Sequence, residues 1–153
     1  PKIPDEMFIG CNSLRTITVP DTIDYIGAKA FDGCASLYSI TLGKGVKSIR
    51  NYAFENCTAL SSDSGSSISF LGNTTGMNAG IGLFAGVTKN SILKVYFYNT
   101  TTTTDDSGND IPDIKLKLLA QIQAIVNDTT VYPFSDYIPG TTKQLFYIPP
   151  SSS

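Results

Sequence analysis

The stretch "AFDGCASLYSITL" (residues 30–42) decides how the rest of the chain is read, because its parts return at a fixed distance on either side. Cys34 has counterparts in Cys11 and Cys57, each 23 residues away. The same step joins Phe8, Phe31 and Phe54, and it joins Leu14, Leu37 and Leu60. Ile17 pairs with Ile40, Val19 with Leu42, Ile23 with Val46, and Ile26 with Ile49. A period of this length is the mark of a repeat architecture, in which one unit cannot cover its own apolar face and stacked units bury a continuous one.

Within the unit, "LRTITV" (14–19) and "LYSITL" (37–42) alternate so that Leu14, Ile17 and Val19 turn inward while Arg15, Thr16 and Thr18 face out. These spans predict short strands, closed by Pro20 and Gly43. The pairs Ile23 with Ile26 and Val46 with Ile49 predict an opposite wall. "GAKAFDGC" and "RNYAFENC" predict short helical or 3₁₀ turns that drive Phe31 and Phe54 into the coil.

Residues 21–43, "DTIDYIGAKAFDGCASLYSITLG", resemble the repeat unit of the BspA-like, or Treponema-type, leucine-rich repeat family nearly throughout. Residues 3–20 and 44–60 match parts of that unit. The resemblance implies a right-handed solenoid, β-rich, with a parallel sheet and short helical turns. It also implies a surface or secreted protein, and an adhesion module that contacts a host or partner protein.

After Leu60 the strand positions of the next unit fall on Asp63 and Gly65, within "SSDSGSSISF", so residues 61–82 read as a polar insertion. "LFAGVTKNSILKVYFYN" (83–99) then aligns on the opening stretch. Phe84 matches Phe31 and Gly86 matches Gly33, while Ile92, Val95 and Phe97 take the places of Leu37, Ile40 and Leu42. Val87 stands where the cysteine was. The expected solenoid therefore covers 1–99. "NTTTTTDDSGND" (99–110) reads as an exposed loop. Residues 111–126 place Ile114, Leu118, Ile122, Ile125 and Val126 at helical spacing, with Pro112 in the first turn. "TTKQLFYIPP" (141–150) reads as a final strand, so 100–153 is expected to be an irregular α+β cap within a single domain.

Composition narrows the function classes. The net charge is −2, with 11 Lys and Arg scattered along 153 residues, which gives no footprint for nucleic acid. No apolar run approaches the ~20 residues of a membrane span. Pro1–Asp5 lacks the character of a signal peptide, and the chain is expected to be a mature form or an excised fragment. His is absent, which removes His-based triads and His metal sites. Paired carboxylates such as Asp105 with Asp110 or Asp136 have no supporting motif, so no enzyme and no cofactor are expected.

Among individual residues, the cysteines read as small buried hydrophobes in a column rather than as ligands or nucleophiles, since spacing by 23 offers no close ligand pair and no His is present to generate a thiolate. "DDSGNDIPD" supplies Asp105, Asp106 and Asp110 as weak calcium candidates, without EF-hand order. Four sequons begin at Asn56, Asn73, Asn99 and Asn127. The best binding candidates are the outward strand positions Arg15, Thr16, Thr18, Tyr38, Ser39, Thr41, Lys94 and Tyr96. They would form one open face for a protein ligand, such as a host matrix or surface protein, or for a glycan, outside the cell. A rival expectation is structural. "PKIPDEMF" and "LFYIPPSSS" joined end to end approximate a strand, Pro and next-turn sequence, so solenoid ends could stack head to tail into oligomers or filaments.

Overall fold

A computed structural model describes residues 1–61, 66–87, 93–98, 102–104, 108, 110–112, 116–126 and 144–147. In chain order the strands are β1 (Lys2–Ile3), β2 (Thr16–Val19), β3 (Tyr25–Ile26), β4 (Ser39–Leu42), β5 (Ser48–Ile49), β6 (Ser66–Phe70), β7 (Asn78–Ala79), β8 (Leu93–Phe97), β9 (Thr102–Thr104) and β10 (Asp110–Pro112). Helix α1 (Leu116–Val126) and strand β11 (Gln144–Tyr147) follow. Up to β8 the chain visits two parallel sheets in turn. One is ordered β1-β3-β5-β7 and the other β11-β8-β6-β4-β2. Parallel neighbours need a long crossover, and here one full coil is that crossover.

The turn segments form a third wall. Glu6, Phe8 and Gly10 donate their N–H groups to the carbonyls of Ala28, Ala30 and Asp32 at 3.0, 2.7 and 2.7 Å. Lys29, Phe31 and Gly33 repeat this onto Asn51, Ala53 and Glu55, and Tyr52, Phe54 and Asn56 onto Ile81, Leu83 and Ala85. Aiming alternate N–H groups along the solenoid axis requires left-handed residues. Gly10, Gly33, Asn56 and Gly86 form one such column (φ 70°, 76°, 59° and 81°). Glu6, Lys29, Tyr52 and Gly82 form another. Asn is the non-glycine residue that most readily accepts this conformation, which explains Asn56. The expected helical segments are therefore hydrogen-bonded turns. A short 3₁₀ turn occurs after them, at Thr58–Ser61.

Inside the walls, side chains stack on their repeats. Phe8, Phe31, Phe54 and Phe84 lie nearly parallel with ring centroids 5.2, 5.2 and 5.6 Å apart, and Phe70 stacks on Phe97 at 5.3 Å. Leu37, Ile40, Leu42, Ile26 and Ile49 are fully buried beside them. Burying each such side chain contributes roughly 1.5–3 kcal/mol, so the columns hold the fold. The first coil is less enclosed, with Phe8, Cys11, Leu14 and Ile17 half-buried.

Three sequence expectations change. The polar run after Leu60 lengthens a coil instead of interrupting the solenoid: β6 lies between β4 and β8, with Ile68 beside Ile40 and Phe70 beside Leu42. The strand residues simply arrive five positions later than a strict period puts them. Helix α1 begins at Leu116 rather than at 111, because Asp110–Pro112 pairs antiparallel with Thr102–Thr104. That pairing also puts strand β9 within the expected loop. Pro is tolerated in such a two-stranded ribbon, where every strand is an edge. The helix still buries Leu118, Ile122 and Ile125. The alignment of 83–99 on the opening stretch holds where it is described: Phe84 joins the ring column, Gly86 is left-handed, and Val95 and Phe97 continue the strand rows. Ile92 lies outside the described residues.

Candidate functional site

The sheet β11-β8-β6-β4-β2 turns one side of each strand to the core and the other outward. Pairing registers place Thr16, Ser39, Ser67 and Lys94 in one outward row, and Thr18, Thr41, Ser69 and Tyr96 in a second. Gln144 and Phe146 of β11 occupy the next register positions. Thr16 and Thr18 are exposed on the outermost strand, and the other six residues of the two rows are half-buried between neighbouring strands. The hydroxyls of Ser39 and Ser67 lie 3.3 Å apart, within hydrogen-bond reach along the row.

Arg15 and Tyr38 flank this grid. Arg15 is exposed, and its carbonyl accepts the N–H of Tyr38 at 2.9 Å, while the Tyr38 carbonyl accepts that of Ser67 at 3.0 Å. At the other side Tyr96 and Tyr98 form a tilted ring pair with centroids 6.1 Å apart. Burial, reinforced by the neighbouring Tyr98, pushes the Tyr96 phenol above its ordinary pKa, so it remains a neutral hydroxyl in physiological conditions.

Of the eight residues expected to form the face, Thr16, Thr18, Ser39, Thr41, Lys94 and Tyr96 share the two rows, and Arg15 and Tyr38 immediately precede β2 and β4. Ser67, Ser69 and Tyr98 were missed, and a signal for the two serines was present. "TITV" (16–19), "SITL" (39–42) and "SISF" (67–70) share the order hydroxyl, Ile, hydroxyl, apolar. The 23-residue step hid the third copy.

The cysteines do not form a site. Cys34 and Cys57 are buried, and their thiols donate to the carbonyls of Phe8 and Phe31, both at 3.1 Å. Burial raises both thiols above the ordinary value, Cys57 by the larger margin. Among the described residues no three His, Cys, Asp or Glu side chains come together as a metal group. Asp105 and Asp106 lie outside the described residues, and Asp110 opens β10. Of the sequon asparagines, Asn56 and Asn73 are exposed, and Asn99 and Asn127 lie outside the described residues.

The far end of the solenoid carries a contact of a different kind. In the first two coils, Met7 and Ala30 close a turn by donating to Pro4 and Gly27, both at 3.3 Å. In the coil of β7 and β8 a side chain enters that turn. Gln121 of α1 accepts the Leu83 N–H at 2.6 Å and donates to the Gly80 carbonyl at 2.8 Å.

A model of the BspA type leucine-rich repeat region matches residues 1–107 in 6 copies. The chain belongs to this family. The match takes in β1 to β9 and all eight of the expected face residues. Comparisons with curated proteins and with solved structures give no match. A BspA-type solenoid of this kind is a repeat module, a class that typically serves protein interaction rather than catalysis, and it is often found on surface or secreted proteins. Among the described residues no helix is long and apolar enough to cross a membrane.

Proposed function

We propose that this BspA-type repeat is a non-catalytic binding module of a secreted or cell-surface protein, and that it recognises a partner protein through the outward face of β2, β4, β6 and β8. The observation that carries this reading is the register: two rows of outward polar side chains run unbroken across four strands, with Arg15 and Tyr38 just before β2 and β4 and Tyr98 just after β8. These residues leave the core intact when changed, and Tyr and Arg are types enriched at binding hot spots. A host matrix or surface protein is the partner class this suggests, in an adhesion role. Capture of the chain on immobilised laminin and collagen tests it. Tyr38→Ala and Tyr96→Ala should weaken capture while the far-ultraviolet spectrum stays unchanged. Equal capture by both variants, or none by the wild type, counts against the sheet face.

Head-to-tail assembly of solenoid ends is the rival reading. Light scattering over a wide concentration range separates the two, since a monomer at high concentration leaves no place for stacking.

A further inference from the structure

The chemistry of the two rows is narrower than a general protein-binding face requires. On β2, β4 and β6 the outward positions are Thr16, Thr18, Ser39, Thr41, Ser67 and Ser69, six small hydroxyls without a charge among them. Lys94 brings a charge at β8. Each hydroxyl carries one donor and two acceptor lone pairs, so the grid can both give and receive hydrogen bonds, with Ser39 and Ser67 already sharing one between them. Small side chains at these six positions supply none of the Trp, Tyr or Arg anchors in which protein hot spots are enriched. Large side chains follow on β8, where half-buried Tyr96 and Tyr98 pair beside the hydroxyl grid, with β11 next in the sheet.

We infer that the chemical group taken by this face is a neutral, extended saccharide chain, lying across the strands along the hydroxyl rows with one unit against the Tyr96–Tyr98 pair. Neighbouring strands repeat every 4.7–4.9 Å, about the length of one extended pyranose unit, so successive sugars meet equivalent hydroxyls on β2, β4 and β6. A sugar hydroxyl donates and accepts as a serine does, and the apolar face of a pyranose ring packs on an aromatic surface. A neutral ligand matches a neutral grid, whereas an acidic chain finds, among the described residues of this face, Arg15 and Lys94. The inference rests on the sheet-face reading and specifies what on the partner is touched: a glycan it carries.

Two measurements test this. In the first, the chain is titrated calorimetrically with linear neutral oligosaccharides of four to six units (β-linked glucose, mannose and N-acetylglucosamine) and with an oligogalacturonate as the acidic comparator. Binding to a neutral chain that survives high salt is expected. Tyr96→Ala should lose about tenfold in affinity, and Thr41→Val, which keeps shape and strand preference, several-fold. Lys47→Ala, exposed at the foot of the other sheet, should leave affinity unchanged. Absence of binding to every neutral chain, or binding indifferent to both face variants, overturns the inference. In the second, capture on laminin is compared before and after enzymatic removal of its glycans. Loss of capture supports the saccharide. Capture that persists and still depends on Tyr38 and Tyr96 overturns the saccharide while leaving the sheet-face reading standing.

Discussion

Replacing phenylalanine by alanine at successive rungs of the ring column should expose how the solenoid is held. Phe31 is fully buried and has rings 5.2 Å away on both sides, whereas Phe8 is half-buried and has one neighbour. A fully buried Phe→Ala change costs about 3–5 kcal/mol. At Phe8 up to about a third of the area is already in water, and one of the two ring pairs, each worth about 0.5–1.5 kcal/mol, does not exist. The cost there falls to about 1.5–2.5 kcal/mol. Urea titration followed by circular dichroism and tyrosine fluorescence reads the difference, there being no Trp. With a slope of about 2 kcal/mol per molar urea, a 2 kcal/mol gap separates the two midpoints by about 1 M. Phe54→Ala should follow Phe31→Ala, because Phe54 is also stacked on both faces. Equal costs at Phe8 and Phe31 would refute the column as the unit of stability and leave the strands as its main source.

Three further outcomes are expected. Above about pH 9, the ordinary thiol value, the unfolded chain loses protons from Cys34 and Cys57 that the folded chain keeps. Stability therefore falls as pH rises, by up to about 1.4 kcal/mol per unit for each thiol; melts of wild type and a Cys34→Ala/Cys57→Ala double variant between pH 8 and 10.5 should diverge, and parallel curves would contradict the burial of the thiols. Gln121→Ala should cost about 1–3 kcal/mol by removing its two hydrogen bonds to the turn and a longer one to the Lys117 carbonyl, with faster amide exchange at Leu83; an unchanged Leu83 amide would show that the turn closes on itself as in the first coils. Gly45→Ala should cost about 2 kcal/mol or more, since a Cβ there is driven into the Asp21 carbonyl; a neutral change in the urea midpoint would show that the coils separate at that corner.

The columns were legible because each is a single residue type repeated at a single step: Phe8, Phe31 and Phe54, or Cys11, Cys34 and Cys57. Where the step changes, one-dimensional reading loses the register. Ser67 and Ser69 sit in the same rows as Ser39 and Thr41, yet the chain takes five extra residues to reach them. Backbone pairing restored a register that counting could not. The helix was found from Leu118, Ile122 and Ile125, but its start was misplaced, since the Ile111 and Pro112 pattern suits a first helical turn and an edge strand alike. Gln121 left no trace in sequence, because its role depends on a turn that is distant along the chain and adjacent in space. The face itself was found from strand alternation, and its breadth emerged only with β6.

Register between strands is held while contour length is not. From Thr16 to Ser39 the chain spends 23 residues, from Ser39 to Ser67 it spends 28, and from Ser67 to Lys94 one fewer, yet all four residues share one row. Register is thus kept whatever the length of chain between one strand and the next. A lineage of such coils can gain or lose corner residues without remodelling the surface it shows to the outside, so loops and face are free to diversify independently.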